Sequence, residues 1–110
     1  MPGIVARDPA TGEVVTGGIE AETRQVLSSL EAILEAAGTS LRNVLKATCY
    51  LRNMDDYAGF NKIWKAYFSV NPPARTCIQV GRLGREFGVE VEVIAGLPSG
   101  PDTIFQGAMP

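Results

Sequence analysis

Apolar and small side chains between residues 19 and 37 recur at intervals of three and four, the spacing of one face of an α-helix. Gly38 follows this run directly, at a position where glycine commonly ends a helix. The pattern therefore predicts a helix over 19–37 whose apolar face packs into a core. The residues of that face are Ile19, Thr23, Val26, Leu27, Leu30, Ile33, Leu34 and Ala37.

A second helix is predicted between Asn53 and the prolines at positions 72 and 73. The Asn53 side chain can cap the first turn, and the prolines prevent the helix from continuing. We interpret the aromatic stripe of this helix as part of the core rather than as a surface on which a ligand stacks. Its residues are Tyr57, Phe60, Ile63, Trp64, Tyr67 and Phe68.

Strands are predicted at 44–52, 74–81 and 89–95, after a short extended run at 3–7, because side chains in these segments alternate with a period of two. The order is therefore extended, helix, strand, helix, strand, strand. This order predicts an α+β fold in which two helices pack on one face of a mixed β-sheet. The residues expected to share one face of the first strand are Leu45, Ala47, Cys49 and Leu51.

The last predicted strand alternates valine with glutamate. If its valines contact the helices, Glu90 and Glu92 point to the opposite face of the sheet. We expect that face to meet water or another subunit.

On the preceding strand, the same period places Arg75, Cys77 and Gln79 on one face. We expect Ile78 and Val80 to share the other face with the core. The polar face of the sheet is then predicted to bring Arg75 close to the two glutamates of the last strand.

Composition narrows the possible functions. The 110 residues are enough for one domain, since a separate core takes roughly 100 to 200 residues. The chain has no histidine, which excludes a histidine-based zinc site or catalytic triad. Its net charge of -2 includes no basic block, so we expect no nucleic-acid partner. No apolar run approaches the roughly 20 residues of a membrane span, and no signal-peptide pattern is present, so we expect no membrane partner and a cytoplasmic location.

Arg75 is the candidate for chemistry that these patterns favour. It begins a predicted strand just after two prolines, and its forked donor set suits a planar anion such as a carboxylate. Glu90 could orient or deprotonate a water molecule. The alternative is an ion pair between Arg75 and a glutamate that stabilises the sheet or a subunit contact, and the residues alone leave both interpretations open.

Short motifs follow one another along the chain: G-E at 12–13, G-G-I-E-A-E-T-R-Q at 17–25, L-E-A-I-L-E-A-A-G at 30–38, P-A-R-T-C at 73–77, R-L at 82–83 and V-E-V-E-V-I-A at 89–95. Together they resemble the RidA family, also called the YjgF or L-PSP family. The resemblance extends from about residue 8 to residue 95 without a sizeable gap. The P-A-R-T and E-V-E-V-I-A motifs are its most specific parts.

The resemblance implies a chorismate-mutase-like α+β fold that assembles as a homotrimer, with pockets at the subunit boundaries. It also implies a reaction, the hydrolysis of reactive 2-imino or enamino acids to 2-keto acids and ammonia. In that scheme Arg75 binds the carboxylate of the small-molecule substrate, Glu90 positions the attacking water and Cys77 lines the pocket. Neither a metal nor a cofactor is needed.

The chain departs from the family at its start, where a G-P-Y-S-Q-like segment and a strand ending in S-G-Q-I-P are usual. Residues 102–110 resemble that strand instead. We therefore expect one domain over 1–110 whose tail, 96–110, supplies a replacement strand, as in a circular permutation. Gln106 and Gly107 would then contact the substrate. A disordered tail and a differently packed tail are the alternatives.

Two further functions stay open at this point. One is a catalytically silent trimer that binds a small carboxylate through Arg75. The other is an endoribonuclease, an activity attributed to some relatives, which an acidic chain without histidine favours least.

Overall fold

The computed structural model describes residues 3–83, 87–97 and 100–106, the last range for its backbone only. Short 3-10 turns precede β2 and α2, at Leu41–Asn43 and Met54–Asp56. The helices and strands in chain order are β1 (Ile4–Val5), α1 (Ile19–Ala36), β2 (Val44–Leu51), α2 (Tyr57–Tyr67), β3 (Ala74–Gln79), β4 (Val89–Leu97) and β5 (Gly100–Gln106).

The strands form one mixed sheet with the order β1-β4-β2-β3, and β5 also pairs with β4. β2 and β3 run parallel, while the other pairs are antiparallel. α2 connects the parallel pair, since parallel neighbours need a crossover between them. Both helices pack on one face of the sheet, so the predicted α+β fold is confirmed.

Helix α1 lies where the apolar pattern predicts it, within one residue at its end. It begins after Gly18, whose φ of 94° is readily adopted by glycine but rarely by other residues, and it ends at Ala36. Gly38 has a φ of 87°, and its N–H donates to the carbonyl of Glu35 at 3.1 Å. The glycine therefore ends the helix as predicted.

The predicted asparagine cap is present before helix α2. It caps the 3-10 turn that precedes the helix rather than the first turn of α2 itself. Oδ1 of Asn53 accepts a hydrogen bond from the N–H of Asp55 at 2.9 Å. This bond opens the 3-10 turn that leads into α2 at Tyr57. Phe60 and Trp64 of α2 are buried, so the interpretation of the stripe as core holds for them.

The two faces of the sheet differ as the valine and glutamate pattern of β4 predicts. The helix face is the side on which α1 and α2 pack, and the open face is the side that they leave uncovered. The residues of β2 and β4 on the helix face are Ala47, Cys49, Leu51, Val89, Val91 and Val93, all buried. Those on the open face include Thr48, Tyr50, Glu90 and Glu92, all partly exposed.

A bulge in β2 overturns the predicted face of one residue. The pairing of β2 with β4 shifts between Val44 and Lys46. Because an extra residue reverses the alternation, Val44 is buried and Leu45 is 56% exposed. Leu45 therefore does not share a face with Ala47.

Strand β3 presents the opposite face from the one predicted. Arg75 pairs with Ala47 and Cys77 with Cys49, and directly paired residues share a face. Arg75 and Cys77 therefore lie on the helix face, whereas Ile78 is 43% exposed. The prediction was wrong because β3 is an edge strand of the described sheet, where an apolar residue need not mark the core side.

The tail pairs with the sheet along β4. Ala95 of β4 is opposite Phe105, and Ile94 is opposite Gln106. β1 pairs with the same strand further along, at Glu90 and Val91. Since β2 occupies the other edge of β4, β1 and β5 share one edge. That β5 replaces a strand of the family remains a prediction.

Candidate functional site

The Arg75 guanidinium is held by helix α2. Its Nη1 donates to Oδ1 of Asn61 at 2.9 Å, and its Nη2 donates to the hydroxyl oxygen of Tyr57 at 2.6 Å. Both acceptors are neutral, so they orient the guanidinium without cancelling its charge. A guanidinium carries five N–H donors, which leaves donors for a ligand.

Aromatic rings of the same helix lie against this cation. The Cζ atom of Arg75 is 5.6 Å from the ring centroid of Tyr57, 5.7 Å from that of Phe60 and 5.2 Å from that of Trp64. These distances are within the range of cation–π attraction. The aromatic stripe therefore has a second role beside its place in the core.

No carboxylate among the described side chains pairs with Arg75. The ion pairs in that part of the chain join Glu20 to Arg24 and to Lys62. The alternative of a structural ion pair between Arg75 and a glutamate of β4 is therefore wrong for a single chain. The Arg75 charge is half-buried, and no carboxylate in the described part of the chain neutralises it.

A cavity of about 240 Å³ lies beside Arg75, between α2 and the start of β3. Its apolar walls are Trp64, Phe68, Pro72 and Pro73. Proline rings and buried aromatic rings lose little freedom on binding, so these walls form the site before a ligand arrives.

Cys77 lies on the helix face one pair further along β3, directly opposite Cys49. Burial raises the pKa of Cys77, and the nearby Arg75 charge lowers that pKa in part. Burial likewise raises the pKa of Cys49 to about 12. Both thiols are therefore neutral near pH 7 and contribute as small apolar groups rather than as thiolates.

Glu90 lies on the open face, so a single chain does not bring it to Arg75. Its Oε2 accepts a hydrogen bond from the N–H of Gly3 at 3.2 Å. Glu92, on the same face, accepts one from the Tyr50 hydroxyl at 2.8 Å, and this bond raises the pKa of Tyr50. The predicted polar cluster of Arg75, Glu90 and Glu92 is thus divided between the two faces.

The remaining predicted contacts come from the tail. The backbone of Gln106 pairs with Ile94 at the end of β5. Gly107 lies outside the described residues.

Tyr57 and Asn61 are the site residues that the sequence did not reveal as such. They lie four residues apart on α2, with Trp64 three further on, which is the spacing of one helix face. A polar asparagine within that aromatic stripe, ahead of a strand that begins with arginine, is the signal that could have identified them.

Neither a metal centre nor a membrane span is found in the part of the chain that the structure describes. No group of three or more potential metal-ligating side chains comes together there. The helices described also lack the length and apolar character needed to cross a bilayer.

Comparison with known proteins places the sequence in a family. A family model described as endoribonuclease L-PSP matches residues 1–97. A RutC family protein of Pyrococcus horikoshii is 47% identical over 95 residues, which cover 86% of this chain and 75% of that protein. A 2-iminobutanoate/2-iminopropanoate deaminase of Mus musculus is 44% identical over 95 residues, with 86% and 70% covered.

Solved structures agree with these sequence matches. RidA from the Antarctic bacterium Psychrobacter sp. PAMC 21119 superposes with a TM-score of 0.82 at 37% identity, covering 86% of this chain and 76% of that one. The YjgF gene product of E. coli gives a TM-score of 0.80 at 34% identity, covering 84% of this chain and 75% of that one. The chain therefore belongs to the RidA family, also known as the YjgF, RutC or L-PSP family.

Proposed function

We propose that this protein hydrolyses reactive 2-imino and enamino acids to 2-keto acids and ammonia. The observation that carries the proposal is the Arg75 guanidinium, which neutral partners fix and no described carboxylate neutralises. A 2-imino acid offers the carboxylate that such a fork binds with two parallel hydrogen bonds. The deaminase name of the Mus musculus relative supports the choice of reaction.

In the proposed reaction, water adds to the carbon of the C=N bond. The nitrogen takes up protons, and the C–N bond then breaks to leave a keto group and ammonia. Arg75 binds the carboxylate, Glu90 orients the water, and Cys77 lines the pocket, with Gln106 and Gly107 completing its wall. Protein side chains and water are sufficient for this chemistry.

The opposite faces of Arg75 and Glu90 support a pocket that lies between subunits. Because one chain holds them on different sides of its sheet, we place the pocket between subunits of a homotrimer. Arg75 then comes from one subunit and Glu90 from its neighbour. The cytoplasmic location expected from the sequence remains a prediction.

A coupled assay tests the reaction. An amino-acid oxidase generates the 2-imino acid, and the rate at which the keto acid appears is compared with and without this protein. We expect the wild type to accelerate that rate, and Arg75→Ala to reduce kcat/KM about 100-fold, since hydrogen bonds to a charged group contribute roughly 1.5 to 3 kcal/mol each.

Arg42→Ala is the matched control, because Arg42 is an exposed arginine that lies outside the proposed site. It should retain the wild-type rate. Equal activity of Arg75→Ala and wild type would remove Arg75 from the mechanism, and a wild type without activity would refute the reaction.

A second function, the binding of a small carboxylate without turnover, is favoured by the same guanidinium, because binding at Arg75 does not require Glu90. Calorimetry with a keto acid would then show an affinity that Arg75→Ala abolishes, while the oxidase assay shows no acceleration. The endoribonuclease activity named in the family description has less support, since the net charge of -2 gives little attraction for phosphates.

A further inference from the structure

We propose that the cavity beside Arg75 binds the substrate's side chain, so that this protein favours 2-imino acids with a large apolar side chain over those with a short one. The inference rests on the proposed function, because it adds a side-chain site to the carboxylate anchor. It names the cavity walls Trp64, Phe68, Pro72 and Pro73 as the residues that determine specificity.

The walls of the cavity are rigid. Trp64 and Phe68 are only 4% and 6% exposed, and their ring centroids are 4.4 Å apart. Core packing therefore fixes both rings, and the closed rings of Pro72 and Pro73 restrict the backbone beside them. A site with preformed apolar walls binds without the entropic cost of ordering them.

The size of the cavity favours a bulky group. An apolar cavity of about 150 Å³ is enough for benzene, whereas this one measures about 240 Å³. A phenyl or branched aliphatic side chain can therefore fit, while a methyl group fills only a small part of this volume. Because burial of apolar surface drives binding, the larger side chain gains more.

The charges of the cavity lining also favour such a ligand. Arg75 lies at the cavity, and the other polar lining residues are Asn61 and the exposed Lys65. No carboxylate belongs to the lining among the side chains that the structure describes. The cavity therefore suits a ligand with an anionic head and a hydrocarbon body, and it disfavours a cationic side chain.

The test compares 2-imino acids made by an amino-acid oxidase from alanine and from phenylalanine. We expect kcat/KM to be about tenfold or more higher for the phenylalanine product, because even one methylene in an apolar pocket changes discrimination by roughly 10- to 200-fold. An equal or lower kcat/KM for the larger substrate would overturn the inference.

A variant that fills the cavity localises the effect. Lys65→Trp places an indole at the rim and should lower the ratio of the two kcat/KM values about fivefold or more, since the larger side chain then loses its space. Lys62→Trp makes the same change on the same helix at an exposed residue outside the cavity lining, and it should leave the ratio unchanged. Equal effects of both variants would contradict the assignment.

Binding separates this inference from the proposed reaction. Calorimetry with 3-phenylpropanoate and propanoate, neither of which can be hydrolysed, should show tighter binding of the phenyl compound. If it does and no imine is turned over, the reaction is refuted and the cavity assignment stands. If both carboxylates bind equally, the cavity assignment is refuted whatever the activity.

Discussion

At the scale of single residues, the described groups that hydrogen-bond to Arg75 orient it but carry no opposite charge. The Tyr57 hydroxyl and the Asn61 amide accept from it, and aromatic faces cover its flank. A carboxylate partner would have neutralised the charge of Arg75 and weakened its attraction for an anionic ligand. Neutral partners therefore leave the electrostatic attraction for a bound anion.

Tyr57→Phe should weaken binding of the substrate carboxylate while leaving the fold intact. The phenyl ring keeps the aromatic face, and only the 2.6 Å hydrogen bond to Nη2 is lost. We expect KM to rise about five- to tenfold with a smaller change in kcat, because a hydrogen bond to a charged group contributes roughly 1.5 to 3 kcal/mol and water replaces part of it. Steady-state kinetics in the oxidase-coupled assay measure both constants.

Tyr67→Phe is the control for that change, since Tyr67 ends the same helix and is not among the described residues that hydrogen-bond to Arg75 or place a ring beside it. A fall in kcat with KM unchanged in Tyr57→Phe would show that the hydroxyl acts in the chemical step rather than in positioning Arg75.

Sequence reasoning identified Arg75 but not what holds it. The two prolines and the P-A-R-T motif mark the arginine locally. Its contacts with Tyr57 and Asn61 depend instead on the angle at which α2 crosses β3, which no local pattern specifies. The predicted face of Arg75 was wrong for a related reason. Alternation divides the residues of a strand between two faces, but it does not specify which face of an edge strand meets the helices.

At the scale of elements, α1 and α2 approach closely at Gly59. A Cβ atom built there would lie 2.7 Å from Cγ2 of Ile19, at the start of α1. Gly59 lies inside α2, where glycine is less favourable than alanine by about 1 kcal/mol. The glycine thus lowers helix propensity in exchange for closer helix packing.

Gly59→Ala should therefore destabilise the protein even though it improves the helix. Overpacking costs about 1 to 3 kcal/mol and the gain in helix propensity is about 1 kcal/mol, so we expect a net loss of about 1 kcal/mol. Urea unfolding at a fixed protein concentration measures the change in the free energy of unfolding.

The double variant tests the cause. In an Ile19→Ala background the methyl group is gone, so the same Gly59→Ala change should become neutral or stabilising. An equal loss of stability in both backgrounds would show that contact with Ile19 is not the reason for the glycine.

Elements could be predicted from the sequence where a long pattern specifies them. The helix predicted over 19–37 is Ile19–Ala36, because many residues share one period and glycines flank it. The exposure of the Leu45 side chain could not be predicted. A one-residue bulge reverses the alternation there, and no residue type in the sequence indicates such a bulge.

At the scale of the whole molecule, the division of Arg75 and Glu90 between two faces means that the proposed activity requires a second subunit. Neither residue can move to the other face, because each is fixed by its position in a paired strand. The sequence alone placed them together, and the sheet separates them.

Mixing two inactive variants tests whether subunits share a pocket. Arg75→Ala and Glu90→Gln should each be inactive alone. In trimers reassembled from equal amounts, about a quarter of the interfaces regain both native residues if each pocket joins two neighbouring subunits, and activity should return in proportion. The coupled assay and native mass spectrometry follow activity and subunit composition together.

Mixed assemblies that form but stay inactive would show that both residues act from the same chain. Activity of either variant alone would show that the pocket does not need the residue changed in it. Either variant mixed with itself provides the baseline.

The segment from β2 through α2 to β3 contains Arg75 and every side chain recorded against it, since Tyr57, Phe60, Asn61 and Trp64 all lie on α2. Among the described side chains, those that contact Arg75 therefore belong to one contiguous piece of chain, while β1 and β5 of the same chain lie at the far edge of the sheet. Amide hydrogens in those two edge strands can exchange rapidly with solvent without releasing the arginine. Sequence drift in β1 is accordingly expected to leave the orientation of Arg75 unchanged.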